Sequence, residues 1–357
     1  MAEHFHALEI AEIIPETEEA VSIRFHVPPE LAEAFRFKAG QHLTLMAPIG
    51  DEEVRRNYSL CTAPADNDLM VTVKRIAGGI FSNWVAEELK PGERIAVMPP
   101  HGSFTVQFDP AQANQYVGFA GGSGITPIIS LIKTALSVEP MSRFTLFYGN
   151  RDSSSVIFLE ALAAIKDRYL DRFELYHFLS DEEQDIDLFN GMLDRDTCAE
   201  AVDRLVGDPE AVGHWFICGP GPMMDAAEAV LIERGIDKAR IHIERFTAGR
   251  PSAAAAAAIQ AAQAVAVGLS IAVTLDGRTR KIKFNGENIL DSAREARLPA
   301  PFACKAGVCA TCRAKVTKGK VEMAVHYGLN DEEVAAGYVL TCQSVPLGEG
   351  VAVDYDA

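Results

Sequence analysis

Four cysteines constrain this chain more than any other feature. Cys304, Cys309 and Cys312 stand within nine residues of one another, and Cys342 follows after 29 intervening residues. A spacing of four and then two residues, with a distant fourth cysteine, matches a 2Fe-2S ligand set. Each of two bridged irons must complete a tetrahedral sulfur shell, so four thiolates are needed, and a tight loop brings three of them to one side. Gly307 lets that loop curl so that backbone N–H groups face an anionic cluster. A structural zinc site would favour paired Cys-x2-Cys hooks, and inert buried cysteines are the third reading; the spacing favours iron and sulfur. Cys61, Cys198 and Cys218 are scattered. An odd total with one tight group points to metal ligation in a reducing compartment, not to a disulfide framework.

A chain of 357 residues is too long for one ordinary core and long enough for two or three domains. Its formal charge of -17 repels phosphate backbones and anionic lipid. No basic patch stands out to offset that charge, so nucleic acid and membrane surfaces are excluded as expected partners and basic or neutral proteins are favoured. The stretch Met1-Ala2-Glu3-His4-Phe5 lacks a basic region followed by an apolar run, and no segment offers about 18 uninterrupted apolar residues. A cytoplasmic location is expected.

Residues 1–110 alternate as short strands, such as Val21 to Phe25 and Met70 to Lys74, between Pro and Gly turns. This predicts a small antiparallel barrel. Over 111–247 the rhythm becomes strand, helix, strand: Tyr116 to Ala120 is a buried-strand run, and Ile125, Ile128, Ile129, Ile132 and Leu136 keep helical spacing. Further strands are expected at Phe144 to Tyr148, Phe173 to Leu179, His214 to Cys218 and Ile241 to Phe246, the alternation of a doubly wound parallel sheet. Residues 248–268, from Gly249-Arg250-Pro251-Ser252 through the alanine run, predict a helical or flexible linker, because alanines make a weak core face. In 269–357, Leu269 to Leu275 and Thr279 to Phe284 flank the hairpin signal Asp276-Gly277. Short helices are expected at Asn288 to Ala296 and Asn330 to Ala336, the second with a capping box of Asn330 and Glu333. The fold class expected is a multidomain β plus α/β protein.

The loop Cys304-Lys305-Ala306-Gly307-Val308-Cys309-Ala310-Thr311-Cys312 resembles the cluster loop of plant-type ferredoxins, which implies a β-grasp domain over 269–357. Arg56-Asn57-Tyr58-Ser59 is similar to the Arg-x-Tyr-Ser motif of the ferredoxin-NADP reductase superfamily. The resemblance implies that Arg56 pairs with the FAD pyrophosphate, Tyr58 packs along the flavin, and the Ser59 hydroxyl lies near the ring nitrogen that receives hydride. Taken alone, those four residues would serve as readily as an ordinary strand with a surface arginine. Gly78-Gly79-Ile80-Phe81-Ser82 precedes an expected helix, where backbone N–H groups and the Ser82 hydroxyl suit a phosphate; a plain glycine turn is the alternative.

Gly121-Gly122-Ser123-Gly124-Ile125-Thr126-Pro127 follows a strand and opens a helix. There Gly122, Gly124 and Thr126 suit the approach of a dinucleotide pyrophosphate to a helix N-terminus. Cys218-Gly219-Pro220 resembles the superfamily's Cys-Gly-Pro motif, which implies that Cys218 lies beside the nicotinamide carbon. A small buried core residue is the commoner fate of a free cysteine. Glu244-Arg245-Phe246 matches the superfamily's terminal Glu-x-aromatic pattern; by resemblance Glu244 joins Ser59 and Cys218 around the hydride, and Phe246 shields the flavin. Arg151, in Tyr148-Gly149-Asn150-Arg151, is placed to meet the 2′-phosphate of NADPH. Ser180-Asp181 stands where many relatives carry Ser-Arg, and a carboxylate there suits NADH.

A nicotinamide yields two electrons together and an iron–sulfur cluster takes one at a time, and a flavin converts between them. Nearly the whole chain resembles the reductase components of bacterial multicomponent oxygenases, those of phenylacetyl-CoA epoxidases above all. Glu53 to Ser59, Gly121 to Pro127, Tyr148 to Arg151 and Ala336 to Cys342 carry the likeness. It implies a route from NADPH, with NADH as the alternative, through FAD and a 2Fe-2S cluster near about -400 mV to a di-iron oxygenase component. A Rieske-type or cytochrome oxygenase is the rival client, and a redox-inert scaffold the rival from another class.

Overall fold

A computed structural model describes residues 5–246 and 253–357. The chain forms two compact units, one gathering Ala7–Val54 and Tyr58–Glu244, the other Arg245–Ala357 together with Arg55–Asn57.

The first unit begins with six antiparallel strands: β1 (His6–Thr17), β2 (Ala20–His26), β3 (His42–Ile49), β4 (Glu52–Ser59), β5 (Leu69–Lys74) and β6 (Arg94–Val97). Their spatial order is β4-β3-β6-β1-β2-β5, and a bridge from Leu60 to Val71 joins the two ends of that order. Period-two alternation sends Leu8, Ile10, Ile23, Phe25, Leu43, Leu45, Val71 and Val73 into the interior. Helix α1 (Ile80–Glu87) packs onto the same core through Phe81 and Val85.

The parallel sheet follows in the same unit: β7 (Gln115–Gly121), β8 (Arg143–Asn150), β9 (Phe173–Leu179), β10 (Val212–Cys218) and β11 (Ile241–Glu244). The order β11-β10-β7-β8-β9 puts a switch of direction between β7 and β10, whose carboxyl ends flank the crevice where such sheets bind ligands. The last expected strand is shorter than its sequence pattern, ending at Glu244 and leaving Phe246 beyond it. Helices α2 (Ile125–Val138), α3 (Leu159–Arg168), α4 (Arg195–Leu205) and α5 (Gly221–Glu233) cover the sheet. Helix α2 is buried almost all round, which the isoleucine spacing alone does not announce. One side meets the sheet, and Ser130 Oγ on the other donates to Thr62 O of the barrel at 2.6 Å. Ala39, Cys61 and Phe104 share a core with its isoleucines. Each isoleucine so buried contributes about 1.5–3 kcal/mol, so barrel and parallel sheet pack into a single body.

The second unit has a core of its own. Its helix α6 (Ala253–Ala266) occupies the alanine run, while Gly249 to Ser252 lie outside the described residues. The helix is more than a spacer: Ile259, Ala262 and Ala266 pack on the core made by Val273, Phe284, Leu290 and Val353. Small side chains are what allow this, since a helix lined with alanine can approach a sheet closely. The sheet itself is mixed, in the order β13-β12-β18-β14-β16, with β12 (Ser270–Leu275), β13 (Arg278–Lys283), β14 (Arg313–Lys318), β15 (Val321–Met323), β16 (Tyr338–Leu340), β17 (Ser344–Pro346) and β18 (Val351–Asp354). Strands β15 and β17 form a separate pair. Asp276 and Gly277 both have positive φ, the two-residue hairpin turn their sequence predicts. Helix α7 (Ile289–Glu295) is capped by Asn288, and α8 (Asp331–Ala335) by the reciprocal bonds of Asn330 and Glu333. The edge strand β13 exposes Arg278, Arg280, Lys281 and Lys283, a local basic stripe that a reading of net charge passes over. Among the described residues, no helix is long and apolar enough to cross a membrane.

Candidate functional site

Strand pairing brings Cys218 at the end of β10 opposite Glu244 at the end of β11. Ser59, the last residue of β4, reaches the same point: its hydroxyl donates to Glu244 Oε2 at 2.9 Å, although 185 positions separate the two in the sequence. Ser59 is only 2% exposed and Cys218 is fully buried. Burial, and then the Glu244 carboxylate, push the Cys218 thiol well above its ordinary pKa, so it stands as a neutral S–H. The three residues expected to surround the hydride are therefore brought together.

Two histidines complete this corner without having been picked out in the sequence. His42 Nδ1 lies 3.6 Å from Glu244 Oε1, and its ring meets His101 edge-on at 4.3 Å between centroids. His101 is fixed by a contact of 3.1 Å between its Nδ1 and Pro99 O, and burial, then His42, push its pKa down to about 3. His42 Nε2 is buried with no hydrogen-bond partner. A buried nitrogen left open beside Ser59 and Glu244 is what a site completed by a polar ligand looks like, and it fits a flavin ring edge. Two isolated histidines 59 positions apart offer no sequence signal; only the backbone bridge between them does.

The motif residues on the barrel fall into two groups. Arg56 is exposed and shares one pleat face of β4 with Tyr58, whose ring lies 5.7 Å from Phe81. Gly79 is the N-cap of α1, no side chain caps that helix, and Ile80 is exposed at its first turn, which leaves the amide end open to an anion. Phe81 and Ser82 are buried instead. Ser82 Oγ accepts the Ile76 N–H at 3.1 Å, so it shapes the turn rather than pointing outward.

The glycine-rich turn divides in the same way. A Cβ on Gly124 would lie 2.0 Å from Cys218 O, so this glycine lets the turn pack directly against the end of β10. Gly122 has a positive φ of 50° and nothing crowding it but Lys74 Nζ, at 3.7 Å from a built Cβ. Thr126 Oγ1 donates to Ser123 O at 3.0 Å, closing the turn from inside. Arg151 does not stand open: its Nη2 is 2.9 Å from Glu19 Oε2. Phe246, just past β11, is half-exposed.

In the second unit the cluster loop bends through positive φ at Lys305, Gly307 and Ala310. Ala306 N–H donates to Cys304 Sγ at 3.2 Å, and Cys304 N–H reaches Cys309 Sγ at 3.5 Å. Gln343 ties the loop down, donating to Lys305 O at 3.0 Å and reaching Cys342 Sγ at 3.6 Å. The thiols stand in two hydrogen-bonded pairs, Cys304 with Cys309 and Cys312 with Cys342. Among the described residues no group of three or more such side chains surrounds a single metal ion. Two pairs suit two irons with two thiolates each, and do not suit one tetrahedral zinc.

Family models match in the order of the sheets: an oxidoreductase FAD-binding domain over residues 8–106, an oxidoreductase NAD-binding domain over 119–229, and a 2Fe-2S iron-sulfur cluster binding domain over 273–347. A subunit of the 1,2-phenylacetyl-CoA epoxidase of Escherichia coli is 43% identical, over 99% of this chain and 98% of the relative. The chain belongs to the FAD, NAD and 2Fe-2S family of oxygenase reductases. The ferredoxin reductase component of the Mycobacterium tuberculosis 3-ketosteroid-9-alpha-monooxygenase is 37% identical to this reductase, over 100% of the chain and 97% of the relative. Among solved structures, phthalate dioxygenase reductase shares the fold, with a TM-score of 0.60 at 23% identity, covering 98% of each chain. The reductase therefore uses FAD, a pyridine nucleotide and a 2Fe-2S cluster, and its partner is an oxygenase component.

Proposed function

We propose that this reductase draws electrons from NADPH and delivers them to a di-iron oxygenase that epoxidises the ring of phenylacetyl-CoA. The observation that carries the choice of client is the 43% identity, along almost the full length of both chains, to the Escherichia coli epoxidase component. A Rieske-type or cytochrome client is the second reading; the reductase of a 3-ketosteroid-9-alpha-monooxygenase, at 37% identity, supports keeping a client other than the epoxidase in view.

When bound, FAD takes the hydride and releases its electrons singly, and the 2Fe-2S cluster carries them onward. Arg56 would pair with the FAD pyrophosphate, and the amides of Ile80 and Phe81 at the start of α1 suit a phosphate, with Gly79 and Ser82 setting the turn; Tyr58 and Phe246 would pack on the flavin. Ser59, whose hydroxyl donates to Glu244, would keep its oxygen free to accept a hydrogen bond near the flavin, and neutral Cys218 would pack beside the nicotinamide without adding charge. Gly122, Gly124 and Thr126 build the turn that receives the dinucleotide pyrophosphate, and Arg151 meets the 2′-phosphate. Cys304, Cys309, Cys312 and Cys342 ligate the cluster. The domain limits proposed are 1–110, 111–247 and 269–357 with a linker over 248–268, a reading supported by family matches over 8–106, 119–229 and 273–347. NADH remains the second reading for the donor, supported by Asp181, which donates its N–H to Arg151 O at 2.7 Å and keeps a carboxylate at that strand end.

The test is reconstitution with purified oxygenase components. Phenylacetyl-CoA epoxidation should proceed with this reductase and fall to background without it; activity only with a Rieske or cytochrome oxygenase would reassign the client.

A further inference from the structure

Glu19 lies between β1 and β2, and both its backbone groups are engaged: its N–H donates to Thr17 Oγ1 at 3.2 Å and its carbonyl accepts Arg75 N–H at 2.6 Å. The carboxylate reaches across to the nucleotide sheet. Its Oε2 lies 2.9 Å from Arg151 Nη2, past the end of β8, and 3.7 Å from Lys74 Nζ, at the end of β5. Lys74 in turn overhangs the glycine-rich turn, its Nζ 3.7 Å from where a methyl group on Gly122 would be.

One carboxylate oxygen thus occupies two cations at the carboxyl ends of parallel strands, where a dinucleotide brings its phosphates. We infer that Glu19 is a donor-selectivity residue, an internal anion that competes with the nucleotide for Arg151 and Lys74. The inference rests on the reading of Arg151 as the partner of the 2′-phosphate. Lys74 faces the turn that receives the pyrophosphate, a group common to NADH and NADPH, whereas Arg151 is contested only by the 2′-phosphate. Glu19 therefore weighs more heavily against NADPH than against NADH. Both side chains of the Arg151 pair are about half exposed, 53% and 43%. Such a pair is weak and readily exchanged, so it tunes entry rather than blocking it.

The experiment is steady-state kinetics of the flavin-loaded full-length protein, wild type against Glu19→Gln, with NADPH and NADH in parallel and ferricyanide as acceptor. Glu19→Gln should lower KM for NADPH by about two- to fivefold, the factor that a half-exposed ion pair corresponds to. KM for NADH should move less, with kcat held for both. The NADPH gain should vanish in Glu19→Gln/Arg151→Gln. Equal changes for the two nucleotides, no change at all, or a gain that survives loss of Arg151 would each overturn the role of Glu19. If the wild type oxidised neither nucleotide, the reductase reading itself would fail.

Discussion

Glu244 shows how a single residue at a strand end can gather a site. One carboxylate oxygen accepts the Ser59 hydroxyl, the other faces His42, and the strand register sets Cys218 beside it. Buried titratable groups in the same unit make stability depend on pH at both ends. His101 is pushed down to about 3 and His242 to about 4, by burial and then by a neighbouring imidazole. The folded state binds fewer protons than the unfolded chain between those values and about 6.5. Their contribution is full above pH 6.5 and is lost as pH falls through 4 and 3. Cys61 and Cys198 are both pushed up to about 12 by burial. They contribute fully below about pH 9, and that contribution is lost as pH rises towards 12. Urea midpoints followed by circular dichroism should fall on both flanks of neutrality, and His101→Gln should make the acid limb shallower; an unchanged acid limb would contradict the assignment. Ser59, Cys218 and Glu244 were legible because each belongs to a motif. His42 and Glu19 were not, because a histidine in a barrel strand and a glutamate in a turn gain meaning only from what the fold sets opposite them.

The two turns that meet at the switch point illustrate the same limit for whole elements. The sequence Gly121 to Pro127 announces a strand, a turn and a helix, and all three form. It does not say which glycine serves a ligand and which serves packing. Gly124→Ala would drive a methyl group into Cys218 O, whereas Gly122→Ala meets only Lys74 Nζ at an ordinary contact distance of 3.7 Å and costs its positive φ. Overpacking of the first kind costs typically about 1–3 kcal/mol or more, against about 1–2 kcal/mol for a left-handed alanine. Thermal unfolding should place Gly124→Ala clearly below Gly122→Ala. The reverse order would show that the turn does not close on β10 as described. Helix α6 carries the complementary lesson: low complexity suggested a spacer, yet Ile259, Ala262 and Ala266 give it a buried face. Periodicity is hard to read in this helix because, apart from Ile259, the buried positions carry the same alanine as the exposed ones.

At the scale of the molecule, the barrel and the parallel sheet share one core, and the C-terminal unit holds the cysteine quartet on a fold of its own. The order of the three sheets was legible from changes in rhythm along the chain, since strand and helix periods differ. The merging of the first two into one body was not, because it depends on the buried far side of α2. This arrangement assigns hydride chemistry to the first body and single-electron transfer to the second. The most direct measurement is anaerobic reduction of the loaded protein by NADPH, followed by flavin absorbance and by the electron paramagnetic resonance of the reduced cluster. The wild type should bleach its flavin and develop the cluster signal. Cys309→Ser should abolish that signal while the flavin still bleaches at a rate close to wild type. A cluster signal that persists in Cys309→Ser, or a folded and flavin-loaded variant that no longer accepts hydride, would contradict the account.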